Sequence, residues 1–246
     1  MSTAIAIDWS GIDRQLRSNL KPAAAKQLFQ QLLGLVPTTC VFKNGQLEPR
    51  LNKYIPVGKI PSLKEFYPKQ KSFLMLGCMD AYYGGAAGGG KSYALLGSAA
   101  QFLDVPGYNA LVMRKSFSEL SLPGALMDVA NDWWAGMPGV HRRDGGRQYL
   151  FQTAGKPSSV TFGYLENTDD RLRYKSAAFH SINVDEVTHF SESDFTFMFS
   201  RLRDPPVGVP LRMRSGSNPD GPGRLWVKHR YVDPTTRDAD KVFIPA

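Results

Sequence analysis

The stretch from Asp80 to Leu96, DAYYGGAAGGGKSYALL, constrains the fold of this chain more than any other. Within it, the residues from Gly85 to Ser92 satisfy the spacing G-x-x-x-x-G-K-S, the Walker A pattern. Side chains at the glycine positions would hold the backbone away from a polyphosphate and would disfavour positive φ angles. A strand that ends at Tyr83 and a helix over Ser92 to Phe102 are predicted on either side. The pattern therefore predicts a nucleotide-binding loop, and the alternative is a flexible glycine-rich turn.

The residue types in this loop suggest individual roles. Lys91 is spaced to reach the β- and γ-phosphates of a nucleotide, where it would act in catalysis, and the Ser92 hydroxyl is spaced to bind Mg²⁺. The helix that follows would direct its N-terminus at the phosphates. The predicted nucleotide contacts in this loop are Gly85, Gly88, Gly89, Gly90, Lys91 and Ser92.

A second candidate site lies about ninety residues later, in Ser181 to Glu186, SINVDE. A mostly apolar strand that ends in two acids is the Walker B pattern. Asp185 would hold Mg²⁺ through water, and Glu186 would act as the general base that polarises the attacking water. Acids also end buried strands as ordinary caps, so the pattern gains its meaning from the Walker A match.

Two further positions are candidate nucleotide contacts. Gln70, shortly before the glycine-rich loop, is predicted to contact the adenine edge while Phe66 or Tyr67 stacks on the ring; otherwise it is a solvated helix residue. A strand over Leu211 to Ser215 runs into a polar tip at Asn218. That tip is predicted to sense the γ-phosphate, and the alternative is a plain turn.

The rest of the chain alternates predicted strands and helices. Asn109 to Met113 reads as a strand that ends in Arg114 and Lys115, on the ligand side of an open α/β sheet. Further elements are predicted as follows: a helical segment over 117–134 interrupted at Pro123-Gly124, an antiparallel pair over 148–151 and 159–164, a helix from about Glu192, and a basic helix over 222–231. His189 is predicted to pack or hydrogen-bond, because no partner is spaced for metal coordination.

Composition limits the classes of partner. The chain has 246 residues, a formal net charge of +8 and a sequence pI near 9.5. This balance favours an anionic partner, nucleic acid above all, although a merely soluble basic protein has the same signature. The two cysteines indicate neither a disulfide framework nor a metal cluster. The sequence contains no signal pattern and no membrane-spanning run, so a cytosolic setting is expected.

Together these segments resemble the ATPase domain of the large terminase subunit of tailed bacteriophages, over about residues 60 to 246. YPKQ at 67–70 looks like the adenine motif of that family, and YGGAAGGGKS at 83–92 looks like its Walker A loop. VMRKSFSELSLPGAL at 112–126 is similar to the segment after the second core strand, and VDEVTHF at 184–190 to Walker B with the catalytic glutamate. SRLR at 200–203 and SNPDGPGRLWVKHRY at 217–231 resemble the coupling region.

The resemblance implies an α/β fold, an additional-strand RecA-like P-loop NTPase core with a mainly parallel central sheet. Residues 1–62 would form a helical and extended accessory segment, and residues 63–246 the ATPase domain. The chain would hydrolyse ATP with Mg²⁺ and drive double-stranded DNA into a procapsid in the host cytoplasm. It would do so as a homo-oligomeric ring of five subunits, with the portal protein and the small terminase subunit as partners.

The resemblance also implies an arginine supplied by a neighbouring subunit, which would stabilise the transition state. Arg173 is the first candidate, with Arg142 or Arg143 behind it. Many terminases carry an arginine four places before the Walker A lysine, and this chain has Ala87 there. A loop arginine therefore cannot supply that charge, so more of the task would fall on a neighbour.

No nuclease activity is expected from this chain alone, because the nuclease domain of the family should follow residue 246. Two other functions stay open. A helicase-like, nucleic-acid-dependent ATPase would need a second RecA-like domain that carries an arginine finger. A nucleotide-dependent assembly switch would need no general base, and Glu186 argues against it.

Overall fold

An eight-stranded sheet organises the structure, a computed structural model that describes residues 37–85 and 88–246. Residues 1–36 of the predicted helical and extended accessory segment lie outside the described residues. The sheet strands are β3 (Asp80–Gly84), β4 (Asn109–Arg114), β5 (Val140–Arg143), β6 (Gln148–Phe151), β7 (Ser158–Tyr164), β8 (Ser181–Asp185), β9 (Arg212–Ser217) and β10 (Lys241–Pro245). Strands β1 (Cys40–Lys43) and β2 (Gln46–Pro49) form a separate antiparallel hairpin within the predicted accessory segment, and neither strand was predicted.

The sheet order is β10-β3-β9-β8-β4-β7-β6-β5. The first six of these strands are parallel to one another, and β6 and β5 add an antiparallel extension. This mixed, mainly parallel sheet confirms the predicted fold class. Its carboxyl-terminal edge gathers the ends of β3, β4, β8 and β9, where ligands bind in open α/β sheets.

In the described part of the chain, the helices that accompany the sheet are α1 (Pro68–Met75), α2 (Lys91–Ala100), α3 (Phe117–Ser121), α4 (Leu126–Trp134), α5 (Glu192–Phe199) and α6 (Arg224–Val227). The predicted break at Pro123-Gly124 separates α3 from α4. The predicted basic helix is a single α-turn, α6, continued by a π-turn over Lys228–Val232. Strands β5 and β10 were not predicted from the sequence.

Alternation along β4 explains why helices cover both sides of the sheet. Successive strand residues point to opposite faces. Ala110 and Val112 belong to one buried cluster, which includes the α4 tryptophans Trp133 and Trp134. Leu111 and Met113 belong to another, with the α5 residues Phe195 and Met198. A parallel strand buried on both faces reads as a continuous apolar run, as NALVM does.

A buried ion pair joins β3 to the π-turn that follows α6. The Asp80 carboxylate accepts hydrogen bonds from the Arg230 guanidinium at 2.8 Å and from the Tyr231 hydroxyl at 2.7 Å. Burial raises the pKa of Asp80 above its ordinary value. The contact fixes the start of the strand that leads into the glycine-rich loop.

Candidate active site

The glycine-rich loop has the backbone that its composition predicts. Among the described residues of the loop, Gly85, Gly88 and Gly90 have φ values of 140°, 81° and 69°. Residues with a Cβ rarely adopt these angles, so side chains here would be strained. A Cβ built on Gly90 would also overlap Nε2 at the end of the Gln70 side chain, which would have to shift. The loop therefore needs glycine both for its conformation and for close approach.

Lys91 and Ser92 begin α2 directly after the loop. Lys91 is buried, and its Nζ donates a hydrogen bond to the Gly85 carbonyl at 3.3 Å. The lysine side chain thus reaches back across the loop that it follows. The backbone N–H groups of the first turn of a ten-residue helix favour an anion at this end, because they lack partners within the helix.

Gln70 is buried and already bound to the backbone. Its Oε1 accepts from the Tyr67 N–H at 2.8 Å, and its Nε2 donates to the Gly90 carbonyl at 2.8 Å. The adenine contact stays a prediction, and it would have to use the second amide hydrogen or the second lone pair. Phe66 lies in the core, whereas the Tyr67 side chain is exposed, so Tyr67 is the one of the two available for stacking. A cleft of about 350 Å³, which Tyr67 and Gln70 help to line, lies beside the loop.

The two acids lie at the carboxyl end of β8. Asp185 is buried, and burial raises its pKa to about 6 even though Arg114 and Lys91 favour the charged form. Glu186 has left-handed backbone angles, φ 49° and ψ 51°. Non-glycine residues held in this region carry strain and cluster at functional sites.

Arg114 contacts both acids, although its role was not assigned from the sequence. Its Nε lies 3.7 Å from Asp185 Oδ2, and its Nη2 lies 3.7 Å from Glu186 Oε1. The available signal was its position at the carboxyl end of β4, on the ligand side of the sheet. Pairing with the acids depends on which strand lies next to β4, and the sequence does not specify that.

Asn218 follows the end of β9 next to the glycine-rich loop. The Gly85 N–H donates to the Ser217 carbonyl at 3.3 Å, which joins the tip of β9 to the loop. The Asn218 Oδ1 atom is buried and has no hydrogen-bond partner among the described residues. An orphaned amide oxygen at this edge is compatible with the predicted γ-phosphate role, which stays a prediction.

Arg173 is not brought to the two acids. Its guanidinium pairs with Asp170 at 2.9 Å and lies 4.3 Å from the centroid of the Tyr164 ring. The side chain is 49% exposed. Arg142 and Arg143, the other candidates, are exposed on β5. A residue that acts in a neighbouring subunit must be exposed, as these arginines are. Contacts within a single chain do not test that role, which stays a prediction.

His189 has acidic neighbours that the sequence did not suggest. One ligand-type atom from each of Glu186, His189 and Asp220 lies within 4.8 Å of the others. Asp220 comes from the loop after β9, thirty-one positions beyond His189, so local spacing could not reveal the contact. Spacing along the sequence therefore missed Asp220, and the prediction that His189 packs or hydrogen-bonds stays a prediction. The proximity of the three side chains alone does not assign a metal.

Solved structures of phage packaging proteins share this fold. The large terminase of a thermophilic bacteriophage superposes with a TM-score of 0.56 at 15% identity, over 74% of this chain and 45% of that one. The complex of the same terminase with ATP-gamma-S has a TM-score of 0.52 at 14% identity, over 74% of this chain and 44% of the terminase. The N-terminal domain of the DNA packaging ATPase from bacteriophage phi29 has a TM-score of 0.52 at 18% identity, over 74% of this chain and 96% of that domain.

These similarities show that the chain has the RecA-like fold of these proteins. More particularly, the chain resembles the ATPase domains of phage large terminases, as its motifs predict. At these identities the likeness concerns the fold, and the matched region is less than half the length of the thermophilic phage terminase. No protein-family model matches the chain, and no curated protein does. None of the helices described is both long and apolar enough to cross a bilayer.

Proposed function

We propose that the chain is the ATP-hydrolysing motor domain of a viral large terminase, which moves double-stranded DNA into a procapsid. One observation carries the proposal. At the carboxyl edge of the sheet, the glycine-rich loop that follows β3, with the buried Lys91 directly after it, lies one strand away from β8, which ends in two acids. That combination is the chemistry of ATP hydrolysis, because the loop binds phosphates and the acids serve Mg²⁺ and water.

The residues fit a bound nucleotide and Mg²⁺. The positive φ angles of the loop glycines leave the backbone open to phosphates, and the Glu186 Oε2 and Asn218 Oδ1 atoms are buried without partners among the described residues. Ser92 and Asp185 would hold Mg²⁺, the latter through water. When bound, the ion would neutralise charge on the phosphate oxygens.

The protein groups have distinct tasks in the proposed reaction. Lys91 binds and orients the terminal phosphates of ATP. Glu186 accepts a proton from the attacking water as the water oxygen bonds to the γ-phosphorus and the bond to the β–γ bridging oxygen breaks. The products are ADP and inorganic phosphate. Arg173 from a neighbour would stabilise the charge that develops on the transferred group.

The assembly follows from the same proposal. The motor would be a homo-oligomeric ring of five subunits that binds the portal protein and the small terminase subunit. It would be phage-encoded and would work in the host cytoplasm. The positive net charge suits double-stranded DNA as the partner.

The test is ATP turnover per subunit over a wide range of protein concentration, with Glu186→Gln as the blank. We expect turnover that rises with concentration, because sites completed between neighbours need assembly. Glu186→Gln should reduce the rate by about 100-fold or more, since it removes the general base. Glu192→Gln, the same change at an exposed position on α5, is the matched control.

Two outcomes would contradict parts of the proposal. Full turnover in Glu186→Gln would favour the assembly switch over the motor. A substantial rate that does not depend on concentration would mean that each monomer holds a complete site, and the role of a neighbouring arginine would be abandoned.

A further inference from the structure

Three side chains with metal-ligating atoms lie together at the end of β8. They are Glu186, His189 and Asp220, whose ligand-type atoms all lie within 4.8 Å of one another. The set joins one imidazole to two carboxylates, and the two negative charges favour a divalent cation. Nitrogen and oxygen donors of this kind suit Zn²⁺, whereas Mg²⁺ prefers oxygen ligands alone.

The turn after β8 brings the first two of these side chains together. Val187–His189 form a single 3₁₀ turn, in which the His189 N–H donates to the Glu186 carbonyl at 2.9 Å. Side chains three positions apart eclipse one another in this geometry. The spacing Glu-x-x-His therefore places both side chains on the same side of the turn, and backbone hydrogen bonding fixes that arrangement.

The third side chain comes from the loop after β9, which packs directly on this turn. The Gly223 N–H donates to the Thr188 carbonyl at 2.7 Å. Gly221, with φ 84°, approaches so closely that a Cβ built there would lie 2.8 Å from Cδ2 of His189. Asp220 is the residue before Gly221, so this contact holds it next to the imidazole.

Several polar atoms of the cluster lack partners. In the described part of the chain, the side chains of His189 and Asp220 make neither a hydrogen bond nor an ion pair. Arg114 contacts Oε1 of Glu186, whereas Oε2 is buried without a hydrogen bond. Thr188 is 1% exposed, and its hydroxyl also lacks a partner and lies against the loop after β9. Buried polar groups normally have partners, so these atoms indicate a missing ligand.

We propose that Glu186, His189 and Asp220 form a Zn²⁺ site, and that Zn²⁺ inhibits the proposed ATPase by binding its general base. The ion takes these three protein ligands and keeps one position for water. Ligand distances of about 2.0–2.2 Å place the donor atoms about 3.4 Å apart, so the side chains need to move by no more than about 1.5 Å. The inhibition rests on the proposed function, because a carboxylate bound to the ion cannot accept a proton from water.

The first test measures binding of Zn²⁺ alone to the full chain, without nucleotide. A chromophoric chelator competes for the ion, and excess Mg²⁺ is present throughout. We expect His189→Ala and Asp220→Asn each to weaken Zn²⁺ binding by about tenfold or more, since each removes a ligand. The matched controls are His229→Ala and Asp132→Asn, the same changes at exposed positions, which should bind Zn²⁺ as the wild type does. Absence of binding to the wild type, or equal affinity in the His189 and Asp220 variants, would overturn the site.

The second test measures ATP turnover at the Zn²⁺ concentration that saturates the wild type in the binding titration. Turnover should fall by about tenfold or more, because a general base typically contributes about 100-fold or more, and a chelator should restore it. In His189→Ala and Asp220→Asn, the same Zn²⁺ should leave turnover close to its zinc-free value. These variants meet the same zinc–nucleotide complexes as the wild type, so inhibition through the nucleotide would appear in all three.

The outcomes separate the site from its role. Equal inhibition of the wild type and both variants would overturn the inference, as would full turnover of the wild type with the site saturated. If the wild type does not hydrolyse ATP in the absence of Zn²⁺, the proposed function fails, whereas the binding titration still tests the three ligands.

Discussion

Asp185 is a carboxyl group that the fold buries at a cost in stability. Its pKa rises from an ordinary 3.8 to about 6, so the folded chain binds the proton more tightly than the unfolded chain does. Below about pH 4 the carboxyl is protonated in both states and the cost is absent. Between about pH 4 and 6 the cost grows, and above that it is fully present.

Asp185→Asn should therefore stabilise the chain in metal-free buffer. We expect a higher free energy of unfolding at pH 8, on the order of 1–3 kcal/mol, and a gain that vanishes near pH 4. Urea denaturation at several pH values measures it. Asp132→Asn, at an exposed position on α4, is the control. A gain independent of pH would show that burial of the charge is not its source.

The sequence identifies the main groups of the candidate site, whose roles stay predictions, but it does not predict the contacts that these groups make. The Walker A spacing that contains Lys91 is informative by itself, and the pattern that contains Asp185 and Glu186 is informative in combination with it. The hydrogen bond that the Gln70 amide donates to the Gly90 carbonyl depends on how α1 packs on the loop. The pairing of Arg114 likewise depends on strand order, and local sequence carries neither kind of information.

At the scale of elements, β9 and α1 are joined by a buried arginine whose hydrogen bonds, within the described residues, go to backbone carbonyls. Arg214 donates to the carbonyls of Leu76 and Cys78 at 2.8 and 3.0 Å, and to those of Met79 and Met213 at 3.2 and 3.0 Å. Leu76 follows the last turn of α1, where carbonyls lack partners within the helix. One side chain thus satisfies the end of the helix that carries Gln70.

Arg214→Leu should be strongly destabilising. It leaves several buried carbonyls without this donor, and hydrogen bonds to charged groups contribute about 1.5–3 kcal/mol each. We expect a loss of at least about 3 kcal/mol in the free energy of unfolding, measured by urea denaturation. Arg224→Leu, at an exposed position on α6, should change it by less than about 1 kcal/mol. Equal effects would contradict the assignment.

The two strands of the eight-stranded sheet that the sequence did not predict, β5 and β10, are its two edge strands. β5 reads VHRR, with three exposed polar residues, and it carries little of the apolar pattern that marks a strand. β10 is partly exposed throughout and pairs along one side with β3. The buried parallel strand β4 was predicted from its apolar run, whereas β8, SINVD, was predicted from the two acids at its end. An edge strand forms because it pairs with the adjacent strand of the sheet, and local sequence does not show that pairing.

At the scale of the whole molecule, the charge of +8 predicts how DNA binding responds to salt. Contacts to phosphates release counterions, so affinity should fall steeply as salt rises. We expect at least a tenfold loss for duplex DNA between about 50 and 200 mM salt, measured by fluorescence anisotropy. Flat affinity over that range would contradict phosphate contacts as the source of binding.

The assembly makes a separate prediction about Arg173. If it acts in a neighbouring site, Arg173→Ala and Glu186→Gln subunits should each be nearly inactive alone, because a finger contributes about 10³–10⁵ in rate. A mixture should regain turnover, since an Arg173→Ala subunit keeps Glu186 and its neighbour keeps Arg173. A mixture no faster than the two separate variants would contradict action between subunits.

The last residue of the sheet edge has a practical consequence for laboratory work with this protein. Ala246 follows β10, and its N–H donates to the Gly84 carbonyl at 2.7 Å. Its carbonyl accepts from Lys69, next to Gln70, at 3.1 Å. A bulky side chain substituted at Ala246 would therefore lie at the mouth of the glycine-rich loop and would compete with the reagents added to study it. A small environment-sensitive dye in the same position would instead report directly on what enters the loop.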